Sequence, residues 1–430
     1  GHSETRVQVP EKLVIVYSLR FKVKIQKRYL LSFIFVATSF VGLQAQTEQV
    51  VVDTLATDMV VVLPWPQNVQ ARLDTLMLDP LLESTQLGLM VYDLTADSLL
   101  YSHGAKQTLR PASTMKLLTA VTAIDLLGGD YKLNTSLRYK GTVKDSVLTG
   151  DLICVGSLDP MFDANDMRAF VESVKGLGVD TIRGRLVVAP SFKEEELFGE
   201  GWCWDDENPQ LSSLLVERKD EFMTVLANKL RDSGIVVEAP VTTAPLDRDA
   251  LMLCLRSHKL KEILVPMLKE SDNLYAEALF FQIAASQTAR PAKAAHARQL
   301  IKRELSKAGV SGIAYRIADG SGLSLYNYVT PELMVKLLCY AYKNTKIFMQ
   351  LYPALPIAGQ DGTLKKRMTG PYTNGKVKAK TGTLTGISSL AGYLTSANNH
   401  VLAFCIINQG VLKNAEGRGF QDKVCTALCK

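Results

Sequence analysis

The sequence predicts an α+β fold: an antiparallel sheet drawn from both ends of the chain, covered by helices and split by an inserted, partly β domain. Three observations predict it. Strand patterns occur early, at 87–94 and 98–101, and again late, at 376–384, 388–395 and 401–408. Strongly apolar helical runs lie between them. The stretch 133–244 instead changes to short strands and turns, so 46–132 and 245–430 read as one domain interrupted by an apparently shortened insertion. At 430 residues and 47% hydrophobic, the chain can bury a large core.

Residues 1–45 hold seven basic residues (Arg6, Lys12, Arg20, Lys22, Lys24, Lys27, Arg28) against Glu4 and Glu11, which is most of the formal net charge of +6. The remainder is close to neutral, so nothing points to nucleic acid as a partner. The basic stretch runs into the apolar YLLSFIFVATSFVGL at 29–43, followed by Gln44-Ala45. That order reads as an upstream extension and a secretory signal peptide cut after Ala45. About 15 apolar residues fall short of a full span, so no stable transmembrane anchor is expected and the mature chain is placed in the periplasm or outside the cell. Seven cysteines do not make a dense disulfide framework. No zinc or phosphate-loop signature occurs, and no metal or cofactor is expected.

The remaining elements follow in order. Residues 68–82 have helical periodicity, and 87–94 with 98–101 form a strand pair turned at Thr95-Ala96-Asp97. Pro111-Ala112 breaks the chain, and Ser113 opens an apolar helix that ends at Gly128-Gly129. The insertion carries a helix at 166–177, a strand at 181–188 and a helix at 226–233. Helices resume at 261–270, 274–285 and 292–308, then come the three late strands and a last helix to Cys429.

Three short motifs occur in order: Ser113-Thr114-Met115-Lys116, Ser271-Asp272-Asn273, and Lys380-Thr381-Gly382-Thr383. Singly they are weak, since a Ser-x-x-Lys arises by chance roughly once or twice in a chain of this length. Together, each on a suitable element, they define a candidate acyl-transfer site. On a helix, positions i and i+3 share a face about 5 to 6 Å apart, so Lys116 reaches the Ser113 hydroxyl. A serine is a weak nucleophile until a base takes its proton, and a lysine can do so only when neutral. Burial and a second cation, for which Lys380 is the candidate, lower a lysine in the required direction. The helix N-terminus adds N–H groups where an oxyanion would form.

Ser271-Asp272-Asn273 lies between two helices, where short polar residues cap helix ends. The catalytic alternative has Ser271 passing a proton to the leaving amine and Asn273 holding the substrate amide or Lys116. On the strand 376–384, Gly382 marks a close backbone approach. Lys380, Thr381 and Thr383 can meet the carboxylate of a peptide lying along that edge. None of the five histidines sits in a nucleophile-partner motif and no Gly-x-Ser-x-Gly elbow occurs, so a lysine base is the better assignment than a Ser-His-Asp triad.

The motif triplet is shared by penicillin-binding proteins and serine β-lactamases. Beyond it, 110–116 (RPASTMK), 156–160 (GSLDP), 201–206 (GWCWDD), 269–274 (KESDNL), 319–323 (DGSGL), 355–363 (LPIAGQDGT) and 379–384 (AKTGTL) resemble the class C low-molecular-mass penicillin-binding proteins, the peptidase S13 family of D-alanyl-D-alanine carboxypeptidases and endopeptidases. The resemblance implies a transpeptidase-like domain, acylation of Ser113 by a penultimate D-alanine carbonyl or a β-lactam, and an oxyanion hole of the Ser113 and Thr383 N–H groups. It implies peptidoglycan peptides as substrates and β-lactams as covalent inhibitors. A β-lactamase shares the motifs and differs in deacylation. A non-catalytic wall-binding protein of the same fold would not need the Ser113/Lys116 pair.

Overall fold

The computed structural model describes residues 63–190, 192–287 and 290–430. The signal segment and the cut after Ala45 lie outside the described residues. After α1 (Gln67–Leu76) the chain forms the hairpin β1 (Gln86–Asp93) and β2 (Ser98–His103), then a 3₁₀ turn at Ala112–Met115 that runs into α2 (Lys116–Leu127). The helical pattern of 68–82 thus divides, its second part being a 3₁₀ turn at Pro80–Glu83 that Asp79 caps through Leu81 N–H.

The insertion follows: β3 (Lys132–Lys144), β4 (Val147–Val155), α3 (Ala164–Lys175), β5 (Thr181–Ala189), α4 (Phe222–Asp232), β6 (Val236–Val237), β7 (Val241–Thr243) and β8 (Leu251–Lys259). These strands make a second sheet, ordered β6-β5-β4-β3-β8, with β7 also on β5. β4 and β5 run parallel across α3, whose start is set by a capping box between Asp163 and Asp166. The sheet closes with β8 on β3, beyond position 244. The outer strand β8 exposes Leu251, Met252 and Leu255, which removes the inside/outside alternation that would mark it as a strand. A separate core fills this unit, with Phe162 packed 5.2 Å from Phe170 and 5.0 Å from Phe222.

The chain then returns through α5 (Leu260–Lys269), α6 (Asn273–Ala285), α7 (Ala294–Lys307), α8 (Pro331–Lys343) and α9 (Thr345–Ala354) to β9 (Val377–Leu384), β10 (Ile387–Thr395), β11 (Val401–Gln409) and α10 (Asn414–Cys429). α8 and α9 are absent from the sequence reading, although Thr330 caps α8 and Pro331 occupies its first turn.

The five-stranded sheet, β2-β1-β11-β10-β9, is antiparallel throughout and unites both ends of the chain. α8 packs against β1 and β11, and α10 against β10. β10 is covered on both faces and is buried from Ile387 to Leu394. α2 and α6 are apolar on every side and pack on each other, as helices of a core interior do. The nucleophile motif starts one of these rigid helices and Ser271-Asp272-Asn273 starts the other. Residues 69–430 form one unit by contact density.

Candidate active site

Ser113 lies in the 3₁₀ turn rather than in α2 itself. Ala112 before it has φ +47°, a left-handed conformation costly for a residue with a Cβ. The turn is over-determined: Ser389 Oγ and Thr114 Oγ1 each donate to the Pro111 carbonyl at 2.6 Å. Behind it, Gly322 is packed so closely that a Cβ there would fall 1.9 Å from Ala112 O. Ser113 remains partly exposed while Ala112, Thr114, Met115 and Lys116 are buried.

Lys116 is fully buried. Its Nζ donates to Ser113 Oγ at 2.9 Å, Asn273 Oδ1 at 2.7 Å and the Ser321 carbonyl at 2.8 Å. Burial pushes its pKa down to about 8, against the opposing pull of Asp319, Glu277 and Asp272. The sequence assigns part of this depression to Lys380. Lys380 is itself held well below the ordinary lysine range by burial and then by the Lys116 charge, a repulsion that acts between the two lysines. Lys116 is the lysine within reach of the Ser113 hydroxyl, and for a base geometry precedes pKa.

Ser271-Asp272-Asn273 divides its labour. Asp272 caps α6, accepting from Leu274 N at 3.0 Å and Tyr275 N at 3.4 Å, while Ser271 and Asn273 turn to the two lysines. Ser271 has φ +63° and accepts from Lys380 Nζ at 2.8 Å. Arg218, from the insertion, pairs with Asp272 and stands 5.6 Å over the Tyr275 ring.

β9 is an end strand of its sheet and lies beside the Ser113 turn. A Cβ on Gly382 would lie 2.8 Å from Pro111 O and 2.9 Å from Ser113 N, so glycine is what admits this approach. Lys380 is fully buried and its second bond goes to Thr381 O at 2.7 Å. Thr381 Oγ1 donates to Thr363 Oγ1 at 2.7 Å, and Thr383 is exposed.

The sequence reading marks 201–206 and 319–323 as family-like segments but assigns them no role in the site, and it misses Glu277. The loop 319–323 bridges the two core helices: its Gly320 and Ser321 carbonyls accept from Thr119 at 2.7 Å and Lys116 at 2.8 Å. Its Gly320 and Ser321 amides donate to the buried Glu277 of α6. Asp319 is buried too and accepts from Trp202 Nε1 at 2.8 Å and from Ser324 N at 2.7 Å. The available signal was a lone carboxylate, Glu277, in the otherwise apolar run LYAEALFFQIAA. Carbonyl acceptors carry no side-chain signal at all. Among the described residues no group of His, Cys, Asp or Glu could hold a metal ion. No described helix is long and apolar enough to cross a membrane, and all seven cysteines are free thiols.

Ser113 is thus hydrogen-bonded to one buried lysine and Ser271 to another, an arrangement whose chemistry suits acyl transfer without a histidine. The chain is 28% identical, over 436 aligned positions covering 79% of it and 80% of the relative, to a D-alanyl-D-alanine carboxypeptidase of Actinomadura sp. (strain R39). Its fold matches penicillin binding protein 4 (dacB) of Haemophilus influenzae with a TM-score of 0.75 at 24% identity, covering 83% of this chain and 98% of that one. It also matches a penicillin G acylated predatory endopeptidase of Bdellovibrio bacteriovorus with a TM-score of 0.52 at 16% identity, over 79% of this chain and 91% of that one. The D-Ala-D-Ala carboxypeptidase 3 (S13) family profile matches residues 69–214 and 211–429, and the chain is a member of that family.

Proposed function

We propose that this chain removes the terminal D-alanine from peptidoglycan stem peptides through an acyl-enzyme on Ser113. The observation that carries the reading is the 2.9 Å bond between Ser113 Oγ and the buried Lys116 Nζ. Neutral Lys116 takes the hydroxyl proton as Oγ attacks the penultimate D-alanine carbonyl. The oxyanion is met by the Ser113 and Thr383 N–H groups. β9 and β10 meet in a two-residue turn, Thr385-Gly386, closed by the Leu384/Ile387 pair. Ladder bonds alternate from that pair, which leaves Thr383 N–H on the open side of the strand. The proton returns to the departing amine through Lys116 and Ser271, D-alanine leaves, and water hydrolyses the ester. Asn273 holds Lys116, the Thr381 and Thr383 hydroxyls receive the terminal carboxylate, and Gly382 keeps the strand close.

A β-lactam presents a strained amide to the same serine and acts as a covalent inhibitor. Cleavage of a peptide cross-link is the same transfer with a larger leaving amine. The reading places the mature chain outside the cytoplasm, where its substrate is. The test is mass spectrometry of a synthetic stem pentapeptide incubated with the enzyme. Loss of a single terminal alanine supports the proposal; an unchanged pentapeptide contradicts it.

A further inference from the structure

We propose that Glu277 is a positioning residue for acylation: it fixes the Ser321 carbonyl on Lys116 and, by exchanging a proton with solvent through a cavity behind the site, sets how readily Lys116 becomes neutral. The inference rests on the reading of Lys116 as the base for Ser113.

The geometry is a short chain of contacts. Glu277 stands one helical turn after Asn273 on α6 and is only 1% exposed. Its Oε1 accepts from Ser321 N at 2.8 Å and Gly320 N at 3.1 Å. The same Ser321 presents its carbonyl to Lys116 Nζ at 2.8 Å. One residue therefore gives its amide to the carboxyl and its carbonyl to the lysine. The loop packs closely on α6 at Gly320, where an added Cβ would meet Phe280 Cβ at 2.6 Å.

A buried carboxyl can act as a variable charge only if protons reach it. A cavity of about 290 Å³ on the far side of the loop is lined by Glu277 and Asp319. Glu194, Glu196, Glu200 and Arg298 also line it. Of the lining groups, Asp319 acts on the Glu277 charge, while Glu200 is paired with Arg298 and Arg316. Burial and Asp319 raise the Glu277 pKa to about 8, against the two amides that favour the anion. From α2, Lys116 is the cation that Glu277 faces, and the attraction is mutual: an ionised Glu277 keeps Lys116 charged. Protonated Glu277 releases that hold while still accepting the amides, so Lys116 gives up its proton more easily.

Glu277→Gln keeps an acceptor for the loop amides and can never be negative. The second-order rate of Ser113 acylation by a fluorescent penicillin would be measured against pH, per mole of titrated active sites. The two limbs are expected to coincide well below pH 8, where Glu277 is protonated and as neutral as glutamine, and to part near and above pH 8, where the variant reaches its plateau at least about half a pH unit earlier, roughly a threefold gain there, with the plateau kept. Limbs that superimpose at every pH, or one uniform loss at every pH, would overturn the assignment, because a purely structural role moves the amount of active enzyme and not the limb. Should the variant fail to fold, infrared titration of the otherwise wild-type enzyme carrying Glu304→Gln decides instead, since Glu304 is also raised by burial. A protonated carboxyl band at neutral pH that fades above about pH 8 is expected; its absence overturns the proposal. A wild-type chain that acquires no penicillin label refutes the Ser113 reading itself, whereas labelling without a shifted limb refutes only Glu277.

Discussion

Gly382→Ala tests the apposition of β9 and the Ser113 turn with the addition of one carbon. The backbone at Gly382 is not left-handed, so the only obstacle is space. The new Cβ would sit 2.8 Å from Pro111 O and 2.9 Å from Ser113 N, where ordinary contact begins at 3.4 Å. Ser389 Oγ, at 2.2 Å, can rotate away at the cost of its bond to Pro111 O; the two backbone atoms cannot. Strand and turn must therefore separate by about half an ångström, the difference between a good hydrogen bond and a poor one. Misplacing one oxyanion donor costs about 2.7–4 kcal/mol of transition-state stabilisation, or roughly 10²–10³ in rate. Overpacking itself destabilises the fold by about 1–3 kcal/mol, which leaves the enzyme folded for assay. The assay is the second-order rate of acylation by a fluorescent penicillin, with thermal unfolding alongside. Gly370→Ala, whose Cβ meets nothing within 4 Å, is the control. Acylation of Gly382→Ala within about threefold of wild type would refute the claim that this contact shapes the oxyanion site.

Two further outcomes follow from the same geometry. With Lys116 lowered by burial to about 8 and active only when neutral, acylation should rise about tenfold per unit below pH 7, reach half its maximum near pH 8 and level above about pH 9; a stopped-flow profile flat across that range would contradict a lysine base. Arg218→Ala removes an ion pair whose arginine is half exposed. Thermal unfolding should register about 0.5–1 kcal/mol or less, and acylation should slow only a few-fold as Asp272 loses its outer support; a loss above roughly 100-fold would mean that Arg218 touches substrate.

The parts of this site that the sequence reveals are those whose geometry is local. Ser113 and Lys116 lie three residues apart, so one helical turn decides whether they meet, and Gly382 in a strand already signals a close neighbour. What the sequence hides is set by distant contacts. Lys116 and the Ser321 carbonyl are 205 positions apart, and a carbonyl is the same in every residue. Glu277 was visible as a charge among apolar neighbours, but only the fold shows that two loop amides meet it. The same distinction holds for the architecture: β9, β10 and β11 announce themselves by composition, whereas β8 exposes apolar side chains at the rim of the second sheet and so loses its alternation. The proximity of Lys116 and Lys380 was foreseeable from their motifs, whereas the three carboxylates that oppose the lowering of Lys116 were not.

The most direct measurement is the intact mass of the purified chain after incubation with a penicillin, followed by peptide mapping of the adduct. The account expects one β-lactam added per chain, located on the peptide that contains Ser113, and none on Ser113→Ala. An adduct that persists on Ser113→Ala, or that maps to another residue, would contradict the assignment of the nucleophile.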